Sequence, residues 1–292
     1  MSRRALLTLV ACVAVVVGLV TWSVSAAAII GGVRLASTLL DRGQHSDPEL
    51  VVDDTAPYAG LSSDDELLFP VTAGQLGASA DGTEPDAVVN EVWDLFARIA
   101  GDDVSRMDAF AVFDDDQDTV MASVWRDTRS GRTWALDVNL AFAEDRDELE
   151  LTLIHEFGHV LSLSLDQVSE AKGSCPTIDM PEGCAHDDSY IAAFLERFWP
   201  AESSWPDSGD DDEVDAWFRD NGGFDAFVSR YAATSGIEDF AESWAVYVTA
   251  DEPGHSPRDD DGRAVRAQKV LFFEDYPDLV AQRDRIRAAL GY

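Results

Sequence analysis

Five residues, His155-Glu156-Phe157-Gly158-His159, constrain this chain more than any other stretch. On an α-helix, residues four apart stand one turn above each other on one face, so two imidazoles can hold one cation from a single rigid element. The Glu between them can reach water at that cation and take its proton. The segment from Asp147 to Leu163 reads DELELTLIHEFGHVLSL, acidic in its first turn, where the helix dipole favours negative charge. Leu149, Leu151, Leu153, Ile154, Phe157, Val160 and Leu161 leave little polar surface beyond Thr152, His155, Glu156 and His159. The pattern predicts a buried helix whose polar groups need either a metal or backbone partners. Backbone partners alone leave Glu156 without a reason to be there.

A hydrolytic site of this kind needs a third protein ligand and an open fourth position. Ser235 to Ala245 (SGIEDFAESWA) reads as a second helix, with Phe240, Trp244 and Val248 on an apolar side and Glu238, Glu242 and Ala245 on another. Both carboxylates are candidate ligands. Ser235, three residues before Glu238, also reads as the start of a capping box, in which that Glu folds back onto the N-cap amide. Spacing leaves ligand and cap open.

HEFGH together with a downstream EDFAE, itself preceded by Tyr231, resembles the zinc peptidases called gluzincins. The likeness is to the catalytic domain of lethal-factor-type toxins and to bacterial zinc-binding metallopeptidases. It spans the two motif helices and the Tyr spacing. The resemblance implies a zincin-like fold, one Zn²⁺ held by His155, His159 and Glu238, and Glu156 as general base. It implies that Tyr231, seven residues before Glu238, lines the active site and acts in the transition state. Glu242 would then orient a ligating imidazole from outside the metal sphere. Asp239 stands where the lethal-factor pattern has an aromatic residue.

Arg3 and Arg4 precede an almost uncharged run from Ala5 to Val33. Basic residues before a long apolar run mark an N-terminus retained in the cytoplasm with the rest of the chain exported. Residues 1–33 therefore read as a signal anchor, or as a signal peptide cleaved near Ser25 to Ala28, leaving the protein extracytoplasmic on a single span or secreted. Cys12, in a lipobox-like LVAC, reads as a membrane-embedded hydrophobe. The exported pair Cys175 and Cys184 flanks a short Pro- and Gly-containing loop and is expected to form a disulfide. His186 beside it raises a second metal site as a weaker alternative.

The net charge of −35 comes from 21 basic and 56 acidic residues. That balance argues against nucleic acid as a partner and against docking on anionic lipid, so contact with the membrane is expected only through the N-terminal helix. Three acidic runs, at 114–118, 210–213 and 259–261, raise Ca²⁺ as a further cofactor, but none has the alternating ligands and glycine of a recognised calcium loop.

Residues 34–84 are acidic and without periodicity, and read as a linker. Residues 85–292 suffice for one domain. A helix is expected at Pro85 to Ile99, strands at Ala109 to Phe113, Thr119 to Trp125 and Thr133 to Leu140, then helices to the C-terminus, including one at Phe224 to Tyr231. This gives an α+β class, mainly helical with a small sheet. By analogy with zincin folds, Trp134 to Leu140 is expected to border the cleft as a sheet edge. The expected function is an exported zinc endopeptidase acting on peptide or protein. The alternatives are a non-catalytic zinc-stabilised binding protein, with Glu242 or His186 as a fourth ligand, and a zinc amidase acting on a non-protein amide. Oligomeric state is left open.

Overall fold

A computed structural model describes residues 66–118, 120–126, 133–169, 175–180, 182–199, 206, 211–251, 253 and 264–292. The N-terminal segment with Cys12, most of the acidic linker and the acidic run at 259–261 lie outside the described residues. Among the described residues no helix is long and apolar enough to cross a membrane.

The chain is mixed α and β, mainly helical with a small sheet. Strands β1 (Leu67–Thr72), β2 (Gln75–Leu76), β3 (Met107–Phe113), β4 (Ala122–Arg126) and β5 (Trp134–Asn139) form one five-stranded sheet in the order β2-β1-β3-β5-β4. The β3–β5 pair is parallel and the others are antiparallel. Phe69, Phe110, Val112, Leu136 and Val138 alternate along their strands and are buried with α1 (Ala87–Ala100) and α2 (Arg146–Leu163). Asp86 caps α1, its carboxylate accepting from the Val89 N–H at 2.9 Å. Trp93 on α1 packs its ring 5.4 Å from Phe110 and donates its indole N–H to the Gly74 carbonyl.

The second half of the chain builds a helical layer around α5 (Gly236–Thr249): α3 (Tyr190–Phe198), α4 (Asp211–Asp220), α6 (Val265–Val270) and α7 (Pro277–Leu290). Phe194, Phe240, Trp244, Phe272 and Phe273 interlock edge to face at centroid separations of 5.1–6.4 Å. Two arginines of α7 satisfy carbonyls at the C-terminus of α5. Arg283 donates to Tyr247 O and Ala250 O, and Arg287 to Val248 O and Ala250 O. The C-terminal end of the Glu238 helix is therefore fixed.

Three expectations are corrected. The sheet takes in Leu67–Thr72 and Gln75–Leu76, residues ahead of Pro85 that read as linker. Trp134–Asn139 lies between β3 and β4, so it is interior, and the sheet edge beside the HEFGH helix is β4. Phe224 to Tyr231 forms no α-helix. Gly222 and Gly223 have φ of 105° and 57°, and the chain makes short 3₁₀ turns at Gly223–Asp225 and Tyr231–Ala233. Ser229 Oγ accepts from the Ala232 N–H at 2.9 Å, which starts a new turn in place of a continued helix.

Candidate metal centre

Helix α2 carries His155 and His159 on the side that meets α5, and α5 brings Glu238 against them. His155 Nε2 and His159 Nε2 are 3.0 Å apart, and Glu238 Oε2 is 3.1 Å from the first and 3.3 Å from the second. Ligands held roughly 2.0–2.1 Å from a tetrahedral cation stand about 3.3 Å apart, so this triangle has the edge length of one face of such a site. Glu238 Oε2 is buried and makes no hydrogen bond of proper geometry to either imidazole. Three potential ligand atoms this close together are compatible with a shared metal ion, and the three residues form the metal-competent group found among the described residues. Ser235 does cap α5, accepting from the Glu238 N–H at 3.2 Å, while the Glu238 carboxylate turns to the histidines.

The close approach of α2 to α5 depends on Gly158. A Cβ there would lie 3.1 Å from both Ala241 Cα and Trp244 Cδ1. A side chain there would press on both, so Gly158, just before His159, lets the two motif helices come close enough to share a ligand set.

Glu242, one turn beyond Glu238, places Oε1 2.8 Å from His155 Nδ1. It grips the far nitrogen of the imidazole and leaves Nε2 turned toward Glu238 and His159. Burial alone would lower the His155 pKa, but the neighbouring carboxylates of Glu238 and Glu242 outweigh it and raise it well above the usual imidazole range. Burial acts to raise Glu238, and the two histidines overcome it to keep the carboxyl far below the ordinary range. A cation of charge two answers the same electrostatic demand that a proton answers here.

Glu156 is buried and accepts the Val124 backbone N–H on Oε2 at 2.9 Å. Burial pushes its carboxyl up to about 7, against the pull of His155 and His159, a value suited to proton transfer near neutrality. Tyr231 stands with its ring centroid 5.8 Å from that of His155. Burial, then the charges of Glu238, Glu156 and Glu242, keep the phenol protonated and hence a donor.

Asp239 turns away from the cleft into the helical layer. Its Oδ2 takes Lys269 Nζ at 2.6 Å and the Trp199 indole N–H at 2.8 Å, and Lys269 stacks 3.8 Å over the Phe227 ring. The residue that departs from the lethal-factor pattern is thus one half of a buried ion pair.

Cys175 and Cys184 are bonded, with Cα atoms 5.4 Å apart. Their segment is not a bare loop but a small sheet of β6 (Val168–Ser169), β7 (Asp179–Met180) and β8 (Gly183–Ala185) in the order β6-β8-β7. His186 is not part of the metal group. Val124, Gly158 and Lys269 went unread in the sequence. Only Gly158 left a trace there, as a glycine inside an otherwise strong helical pattern.

No family model, no curated protein and no solved structure matches the chain.

Proposed function

We propose that this chain is an exported, zinc-dependent endopeptidase of gluzincin type, with a zincin-like domain anchored through residues 1–33 or released from them. The observation that carries the reading is the convergence of His155, His159 and Glu238 beside a buried Glu156. Two imidazole nitrogens and one carboxylate oxygen are the donor set of hydrolytic zinc sites, which keep the fourth position open.

When bound, zinc at such a site supplies Lewis acidity, lowering the pKa of water to near neutral and polarising a carbonyl. Glu156 takes the proton of the attacking water on the oxygen not engaged by Val124, and later delivers it to the departing amine. Tyr231 donates its hydroxyl to the oxyanion that develops on the scissile carbonyl, a contribution of about 2–4 kcal/mol by analogy with other oxyanion donors. Glu242 keeps the His155 ring in register through Nδ1. Strand β4 pairs with β5 along one side, and its other side runs past Glu156, where an extended substrate can add as a further strand.

The non-catalytic alternative requires a fourth protein ligand. Glu242 is engaged on the opposite side of the His155 ring and His186 lies outside the group, which favours the catalytic reading. An amidase acting on a non-protein amide would use the same residues and differ only in the cleft.

The test is hydrolysis of internally quenched peptides and of a small-amide panel by the full-length chain. The reading expects peptide turnover that a chelator abolishes, that zinc restores and that Glu156→Gln removes. Undiminished turnover in Glu156→Gln would sink it, and turnover of small amides alone would move the assignment to the amidase.

A further inference from the structure

Glu238 and Asp239 are neighbours on α5, and successive residues of a helix point about 100° apart. Glu238 faces α2, with Oε2 3.1 Å from His155 Nε2 and 3.3 Å from His159 Nε2. Asp239 faces the helical layer. Its Oδ2 takes Lys269 Nζ of α6 at 2.6 Å and the indole N–H of Trp199, just past α3, at 2.8 Å. The first turn of α5 lies hard against the same neighbours. A Cβ on Gly236, three residues before Asp239 and so on the same face, would run into Leu195 and lie 3.3 Å from Trp199 Cδ2.

Stability alone is a poor reason for this pair. Asp239 and Lys269 are both buried, and Asp239 Oδ1 has no hydrogen-bond partner. A buried ion pair repays the desolvation of its charges only where the remaining lone pairs are satisfied, and apolar residues of similar size often serve a fold as well. What the charged pair adds is direction. One carboxylate oxygen receives donors from two different elements, α6 and the end of α3, and this fixes where the Asp239 side chain points. Lys269 is itself held from the other side, 3.8 Å over the ring of Phe227.

The direction of Asp239 bears on its neighbour. Side-chain tips stand roughly 5–6 Å from a helix axis, so a rotation of α5 by about 20° carries a carboxylate oxygen by about 2 Å. A ligand distance tolerates roughly 0.2 Å. A rotation that takes Glu238 off the histidines also draws Asp239 away from Lys269 and Trp199.

We propose that the Asp239–Lys269 pair is a positioning device for the metal centre: it sets the rotation of α5 and thereby holds Glu238 on His155 and His159. The proposal rests on the metal reading above. Gly158 then sets how near α5 comes to α2, and the pair sets the face that α5 presents.

The test compares the full-length chain with Asp239→Val/Lys269→Met, in which apolar side chains of about the same size replace the ion pair. The urea midpoint of the metal-free double variant is expected to stay near that of the parent. Its zinc dissociation constant, read by competition with a chromophoric chelator, should rise by about 10–100-fold, the range for groups that orient a ligand from outside the metal sphere. With Co²⁺ as the probe metal, the visible absorption bands should shift, because they report ligand geometry. Trp199→Phe keeps the pair and removes one donor to Asp239, so it should show a smaller effect in the same direction. A double variant that folds, binds zinc within about twofold of the parent and keeps its Co²⁺ bands would overturn the proposal and leave the metal reading standing. So would weakened zinc binding with unshifted bands, since Glu238 would not have moved. Should the double variant fail to fold, Trp199→Phe decides, and an unchanged constant with unchanged bands overturns the proposal. A parent chain that binds neither zinc nor Co²⁺ would overturn both readings.

Discussion

The backbone N–H of Val124 donates to Glu156 Oε2 across 2.9 Å, tying the edge strand of the sheet to the carboxylate between the two histidines. Among the described residues β4 pairs with β5 alone, so this N–H points outward from the ladder and into the site. One contact therefore fixes both the Glu156 carboxylate and the strand beside it.

Glu156→Gln should retain zinc while hydrolysis falls by about 10²–10⁴-fold, the range ascribed to a positioned general base. Val124→Pro removes the N–H at a position where an edge strand tolerates proline. It should leave zinc content unchanged and lower kcat by roughly tenfold, the loss expected of one hydrogen bond to a charged group. Zinc content and kcat measured on the same samples separate the two effects.

Hydrolysis should also fall as the pH is lowered, because Glu156 must be ionised to accept a proton. Burial sets its carboxyl at about 7 in the metal-free protein. A neighbouring cation favours the ionised form, so the acid limb of kcat/KM should lie below that value. A limb well above it would assign the titration to another group.

Gly158→Ala should separate the two motif helices. The added methyl meets Ala241 Cα and Trp244 Cδ1 at 3.1 Å, and a helix backbone cannot yield as a flexible side chain can. A loss of about 1–3 kcal/mol in folding stability is expected, together with weaker zinc binding, because α2 carries His155 and His159 and α5 carries Glu238. Urea unfolding and chelator competition measure the two.

Lys269→Met should cost about 3–5 kcal/mol, since it leaves Asp239 buried opposite an apolar side chain. Asp239→Asn/Lys269→Met should recover much of that loss, because the uncompensated charge is gone. The comparison by urea unfolding distinguishes a buried pair from two independent packing residues.

Zinc should stabilise the fold by mass action, by about 4 kcal/mol at a free concentration a thousand times the dissociation constant. Calorimetry with and without a chelator gives the shift directly. A melting temperature that zinc leaves unmoved would separate the metal from the fold.

The two halves of the candidate metal group were legible because helical periodicity is enough to put His155 over His159 and Glu238 over Glu242, while Glu238 as the third member was implied only by the resemblance to gluzincins. The choice between ligand and cap at Glu238 was not, because one Ser three residues upstream serves either outcome. In the structure Ser235 caps the helix through its own hydroxyl and leaves the carboxylate free to face the histidines. The first strand was hidden by Pro70, which argues against a strand when read alone. Its carbonyl accepts from Gly77 beyond the short β2, so the missing N–H falls on a side where no ladder needs it. The helix expected at Phe224 to Tyr231 gives way to short turns, with Ser229 accepting from the Ala232 N–H, and Phe227 covers Lys269. Val124 and Lys269 could not be read, because a backbone N–H leaves no mark in sequence and a lysine near a helix end looks like any solvated base.

The most direct measurement is metal content by mass spectrometry on the full-length chain, purified without chelators, alongside Glu238→Ala and Glu242→Ala. The account predicts near-stoichiometric zinc in the parent, loss on Glu238→Ala, and retention with weakened affinity on Glu242→Ala. A parent chain without zinc, or a Glu238→Ala variant that holds it as tightly, would contradict the account.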